Sequence, residues 1–189
     1  IFEEGGPTDK KIDGSIRVNT STGSIDASTI RTNAELRSTT GRIEITEVAG
    51  DLRVTSTTGD IEVHRLDGDL TVRSSTGDQY LDQISGDIDA RSTTGRIELS
   101  DTEGRVSLRT STGDQIGSDV SLTGDSRFEA TTGSVEMDLT NDLDDLEFDL
   151  SSTTGSLEVG SDRSQRRLFL GSTGLTITGS TSTGSQSYR

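Results

Sequence analysis

His64 is the sole histidine of the chain, and no cysteine accompanies it. Thiolate metal sites, disulfides and cysteine nucleophiles are therefore excluded, and no second histidine stands by to complete an acid–base or nucleophile pair of the familiar kind. Carboxylates are the more abundant chemistry. Asp51, Asp60, Asp69, Asp78 and Asp87 each follow a glycine at a nine-residue step, and Glu44, Glu62 and Glu98 recur on steps of eighteen or its double. Stacked carboxylates of this kind are weak candidates for a hard cation such as Ca²⁺, but oxygen-rich nine-residue rolls use a denser Gly-Gly-x-Gly-x-Asp pattern that is missing here. Solvated turns, relieved by neighbouring arginines, are the plainer reading, and no cofactor is expected. Carboxylate pairs for glycoside hydrolysis need a groove with aromatic platforms, whereas the chain holds two Tyr and four Phe. The residues thus argue against an enzyme.

Two further columns could recognise a partner. Arg37, Arg73, Arg91 and Arg109 share one position of the repeat, suited either to an anionic glycan or phosphate or simply to the acids beside them. The triplets Ser38-Thr39-Thr40, Ser56-Thr57-Thr58, Ser74-Ser75-Thr76 and Ser92-Thr93-Thr94 recur every eighteen residues. If the middle residue of each points inward, the first and third form two outward hydroxyl columns, a regular face of the type ice-binding solenoids use. The simpler alternative is that they satisfy turn backbone and stack in a parallel ladder.

The elements that position these columns follow from the repeat. Glycines stand at 23, 41, 59, 77, 95 and 113, with Gly14 before them and Gly50, Gly68, Gly86 and Gly104 halfway between, so the elementary unit is nine residues and only Thr32 breaks the glycine register between 14 and 113. Counted from its glycine, each unit carries apolar residues at the third and fifth positions, such as Ile43 and Ile45, Leu52 and Val54, or Ile61 and Val63. Apolar residues two apart with polar neighbours mark a short strand with one buried face. Alternate units differ: one half has an apolar eighth residue (Ile30, Val48, Leu66, Ile84), while the other ends in the hydroxyl triplet. The true period is therefore eighteen. A nine-residue unit cannot bury its apolar face alone, so stacking about 4.8 Å apart in parallel ladders must close the core. The expected fold is all-β, a parallel β-solenoid of nine to ten 18-residue coils, with right-handed coiling as a guess. An antiparallel meander of nine-residue arms is the runner-up.

Expected boundaries are a linker or cover over residues 1–11, one solenoid domain over 12–178 and a tail over 179–189. Beyond Gly113 the glycine steps widen to Gly133 and Gly155, which predicts insertions that bulge at corners. Asp142–Leu150 reads as a strand, 161–167 as a polar loop, and Leu168–Leu170 with Leu175–Ile177 as a last coil or cap. Asp plus Glu exceed Lys plus Arg by 33 to 18, a net charge of −15. That balance opposes nucleic acid and anionic lipid as partners. No apolar run is long enough to insert in a bilayer, and a start at Ile1 rather than Met suggests a segment trimmed from a longer chain.

The phrases S-T-T-G-D-I-E-V at 56–63 and S-G-D-I-D-A-R-S-T-T-G-R-I-E-L at 85–99 resemble the Toastrack family of adhesin-like domains of unknown function. The likeness covers residues 12–160. It implies an all-β solenoid held outside the cytoplasm at a bacterial or archaeal envelope, and it brings no catalytic residues. The expected function is a noncatalytic scaffold or adhesin-like module with an unidentified protein or glycan partner. Alternatives are end-to-end self-assembly of the bactofilin type and cation binding by the acidic columns.

Overall fold

The computed structural model describes residues 14–171 and 174–189; the expected linker over 1–11 lies outside them. Fourteen strands follow one another, at a nine-residue step except for the longer step from β12 to β13: β1 (Ile16–Thr22), β2 (Ile25–Ile30), β3 (Ala34–Thr40), β4 (Ile43–Ala49), β5 (Leu52–Thr58), β6 (Ile61–Asp67), β7 (Leu70–Thr76), β8 (Gln79–Ser85), β9 (Ile88–Thr94), β10 (Ile97–Gly104), β11 (Val106–Thr112), β12 (Gln115–Leu122), β13 (Ser126–Thr132) and β14 (Val135–Leu139). Odd strands pair with odd and even with even, in parallel and, over β1 to β12, in a register of eighteen, as in Ile43↔Ile61 and Leu52↔Leu70. The result is a β-solenoid whose coils each give one strand to sheet A (odd) and one to sheet B (even). Parallel pairing removes the antiparallel meander.

The two sheets face each other across a thin aliphatic core. Leu36, Ile43, Ile45, Val54, Ile61 and Val63 are fully buried at the third and fifth positions. At nearly every corner glycine is required, and Thr32 takes its place between β2 and β3. Gly59 has φ +127°, and a Cβ there would strike the carbonyl of Gly41 in the coil before. The same contact recurs up the stack, for instance at Gly77 on Gly59. Within each even strand from β2 to β12 one residue takes the left-handed conformation: Thr29, Glu47, Arg65, Gln83, Asp101 and Asp119 have φ between 48° and 63°. This single inversion breaks the in-out alternation and turns the eighth residue inward, so Ile30, Val48, Leu66 and Ile84 join the core. Odd strands lack the inversion and keep alternating. Their seventh residue, the first of each hydroxyl triplet, therefore points inward, and Ser38, Ser56, Ser74 and Ser92 are buried. The arrangement with the middle hydroxyl inward and the first and third outward is therefore not the one adopted.

The C-terminal coils depart from chain order. After β14, a 3-10 turn (Leu143–Asp145), capped by the Asp142 carboxylate, leads to β15 (Leu146–Thr154) and β16 (Leu157–Val159). The chain then reverses through β17 (Asp162–Ser164) and β18 (Arg167–Leu170), which lie antiparallel on the outer edges of β16 and β15. Most of the expected loop over 161–167 is thus strand. Finally β19 (Leu175–Thr183) and β20 (Gln186–Tyr188) insert between the coils already built, β19 pairing with both β13 and β15 and β20 with both β14 and β16. Each ten-stranded sheet so comprises nine parallel strands and one antiparallel strand at its end. Residues 179–189 are not a tail. They complete the penultimate coil, because Tyr188 is fully buried there with its ring 5.9 Å from Phe128 and 5.5 Å from Phe148. Gly179 makes room for it, since a Cβ would lie 2.8 Å from the Tyr188 hydroxyl.

Candidate functional site

The glycine-following aspartates do not converge. Asp51, Asp69 and Asp87 line the corner that leads into sheet A, while Asp60 and Asp78 line the corner that leads into sheet B. Each accepts a hydrogen bond from the backbone N–H one coil on. Asp69 N donates to Asp51 Oδ1 (3.2 Å), Asp87 N to Asp69 Oδ1 (3.0 Å), Asp78 N to Asp60 Oδ1 (2.9 Å) and Arg96 N to Asp78 Oδ1 (2.8 Å). A short carboxylate satisfies a corner N–H that no ladder reaches. Among the described residues no group of three or more His, Asp or Glu is placed to hold a metal ion. Glu44 and Glu62 are neighbours on the outside of sheet B and share Arg42, which lies 3.5 Å from Glu44 and closer to Glu62. Glu98 is separated from them by Tyr80. His64 faces outward on the same sheet, its Nδ1 3.4 Å from the Asp82 carboxylate of the next coil.

The arginine column does assemble. Arg73, Arg91 and Arg109 lie side by side on three successive coils of sheet A, pointing outward, with Arg37 two coils before Arg73. The exposed second and third hydroxyls of the triplets run parallel to it. The third column is threonine throughout, at Thr22, Thr40, Thr58, Thr76, Thr94, Thr112, Thr132, Thr183 and Thr154 in stacking order.

What the residue-by-residue reading missed is how charge divides between the faces. Over the first seven coils the strands of sheet A carry seven arginines, at 17, 37, 53, 73, 91, 109 and 127, against Glu35, Asp89 and Glu129. The strands of sheet B carry twelve acids against Arg65 alone. One face has an excess of four positive charges and the other an excess of eleven negative ones. Assigning each half-coil to its sheet and counting separately would have revealed it from the repeat.

The family description of Toastrack (DUF4097) matches residues 68–189, well over half of the chain. The chain belongs to the Toastrack family. That family is a domain of unknown function and is not a known enzyme family. The Toastrack match runs through the irregular C-terminal coils and includes the inserted β19 and β20, so the out-of-order coil falls within the family's own span. No curated protein and no solved structure matches the chain.

Proposed function

We propose that this Toastrack chain is a noncatalytic interaction module, held outside the cytoplasm at a cell envelope as the family resemblance implies, that presents two rigid faces to its surroundings. The observation that carries the reading is the division of charge: a basic, hydroxyl-bordered sheet A opposite an acidic sheet B. Continuous parallel ladders fix the spacing of every outward side chain, which suits recognition of an extended partner more than a reaction at one point. Stacking of copies end to end is less well supported. The outermost strands at the C-terminal end, β17 and β18, span three and four residues and carry Asp162, Arg163 and Arg167, the features that keep sheet edges from pairing. Cation binding is also less well supported, because the aspartates split between two corners and serve backbone N–H groups.

The test is protease accessibility on intact cells of the source organism, combined with substrate profiling of the purified chain. Digestion from outside and no turnover are the expected results. A purely cytoplasmic pool, or turnover abolished by His64→Ala, would sink the reading.

A further inference from the structure

From the outward face of sheet A we infer that it is a docking track for a linear acidic polysaccharide, laid along the solenoid axis with its carboxylate or sulfate groups on the arginines. The inference rests on the interaction-module reading and names the partner of one face.

Over the first seven coils the acids of this face are already engaged. Glu35 accepts from Arg17 Nε at 2.9 Å and Arg37 Nε at 2.8 Å, Asp89 lies 3.1 Å from Arg91, and Glu129 is gripped by both Arg109 and Arg127. The hydrogen bond from Arg37, reinforced by the charge of Arg17, holds the Glu35 carboxyl below its ordinary range. Among the described residues, Arg53 and Arg73 have no acid partner. They occupy one diagonal of a square on adjacent strands, with Thr55 and Thr71 on the other, since Arg53 pairs with Thr71 and Thr55 with Arg73. From the ladder spacing and the rise along a strand, the arginine Cβ atoms stand roughly 8 Å apart. Two planar guanidinium forks and two hydroxyls thereby present donors to a single carboxylate or sulfate group.

Polar features continue the track. Arg73, Arg91 and Arg109 succeed one another at the coil spacing of about 4.8 Å, and the exposed Thr57, Ser75, Thr93 and Ser111 run alongside as neutral donors and acceptors for sugar hydroxyls. From Arg109 the surface dips into a shallow trough whose floor and walls include Ser111, Thr131, Thr153, Ser180 and Ser182. That trough carries the hydroxyl lining on to the last coil.

Other occupants fit less well. Over the first seven coils sheet A offers no aromatic side chain on its outward positions for stacking bases, and Phe169 stands apart on β18 at the capped end. A net charge of −15 opposes a duplex or an anionic bilayer that extends past this face, whereas a single sugar chain lying along sheet A meets its local excess of four positive charges. A second copy could offer the acidic sheet B, but a stable protein interface needs buried apolar anchors. Among the described residues the exposed large apolar side chain is Phe169, at the capped end.

The experiment is calorimetric titration of the whole chain at low salt with polygalacturonate and heparin-derived oligosaccharides, with dextran, a single-stranded DNA oligonucleotide and phosphatidylglycerol vesicles as comparison probes. At least one acidic oligosaccharide is expected to bind in a salt-sensitive manner, with dextran silent and the DNA and vesicles weaker. Arg53→Gln combined with Arg73→Gln should weaken that binding about tenfold or more, the loss of charge-assisted contacts, at an unchanged melting temperature. Glu62→Gln combined with Glu98→Gln on sheet B should not weaken it. The track is overturned if neither acidic oligosaccharide binds, if the arginine variant binds as well as the parent, or if DNA or vesicles bind more tightly. None of these outcomes touches the interaction-module reading, which fails instead on location or turnover.

Discussion

Ile61 and Glu62 are consecutive residues of β6, one fully buried and the other on the outward face beside Arg42. Burying a side chain of isoleucine's size contributes about 1.5 to 3 kcal/mol, and a buried unpaired charge costs more still. Ile61→Asp should therefore destabilise by several kcal/mol, whereas Glu62→Ala loses an exposed ion pair and should change stability by less than about 1 kcal/mol. Equal shifts of the two urea midpoints would refute the assignment of Ile61 inward and Glu62 outward. The tyrosines give a second residue-scale check. Tyr188 is fully enclosed, and burial drives its phenol far above the ordinary value of 10; Tyr80 is raised too, by burial first and then by the negative charge of Asp78. A pKa raised in the folded state gives stability that is complete below the unfolded value and is lost as pH rises past it. Below about pH 10 neither phenol should weaken the fold. At higher pH, absorbance at 295 nm should report one tyrosine ionising in the native chain and the second only as the chain unfolds. A single transition of both near pH 10 with native circular dichroism would refute the burial of Tyr188.

The half-coil is the element of this fold, and its two versions differ by one backbone inversion. Gln83 has φ 55°, a region that costs an ordinary residue roughly 1 to 2 kcal/mol. Glycine removes that cost but brings greater freedom to the unfolded chain, a penalty of about 0.5 to 1 kcal/mol. Gln83→Gly is thus expected to stabilise by up to about 1 kcal/mol, seen as a higher denaturant midpoint at constant slope; a lower midpoint would show that side-chain contacts of Gln83 outweigh the strain. Much of this half-coil was legible beforehand. The third and fifth positions, the corner glycines and the apolar eighth residue of alternate units all follow from periodicity. The inward seventh residue of the odd strands also obeys simple alternation. It was obscured because three hydroxyls in a row read as a turn, and hydroxyls are usually exposed. The arginine column was legible for the same reason as the core, since anything on a period of eighteen must stack. That Arg73 of this column and its diagonal neighbour Arg53 have no acid partner among the described residues was not legible, because pairing depends on side-chain reach across strands.

At the scale of the whole molecule, the order of the last coils could not be read locally. Ser152-Thr153-Thr154-Gly155 and Thr181-Ser182-Thr183-Gly184 are equivalent phrases, and either fits beside Thr132. Packing breaks the tie: Tyr188 fills the space between Phe128 and Phe148, and Gly179 leaves room for it. The consequence concerns dynamics. In a linear stack, opening normally spreads from an end, and segments near a chain terminus exchange their amides fastest. Here β19 and β20 are near the end of the sequence but are held by ladders on both sides, for example Ser126↔Ile177 with Phe148↔Ile177 and Val135↔Gln186 with Leu157↔Gln186. To leave, the coil must break four strand pairings and expose an aromatic cluster. Native-state hydrogen exchange should therefore find the amides of Ile177 to Thr181 and of Gln186 protected as strongly as those of β9 and β10 in the middle of the stack. The short edge strands β17 and β18 should exchange much faster. If residues 175–189 instead exchanged as quickly as those edges, the inserted coil would be a loosely held flap, and the stack would behave as ending at β13 and β14.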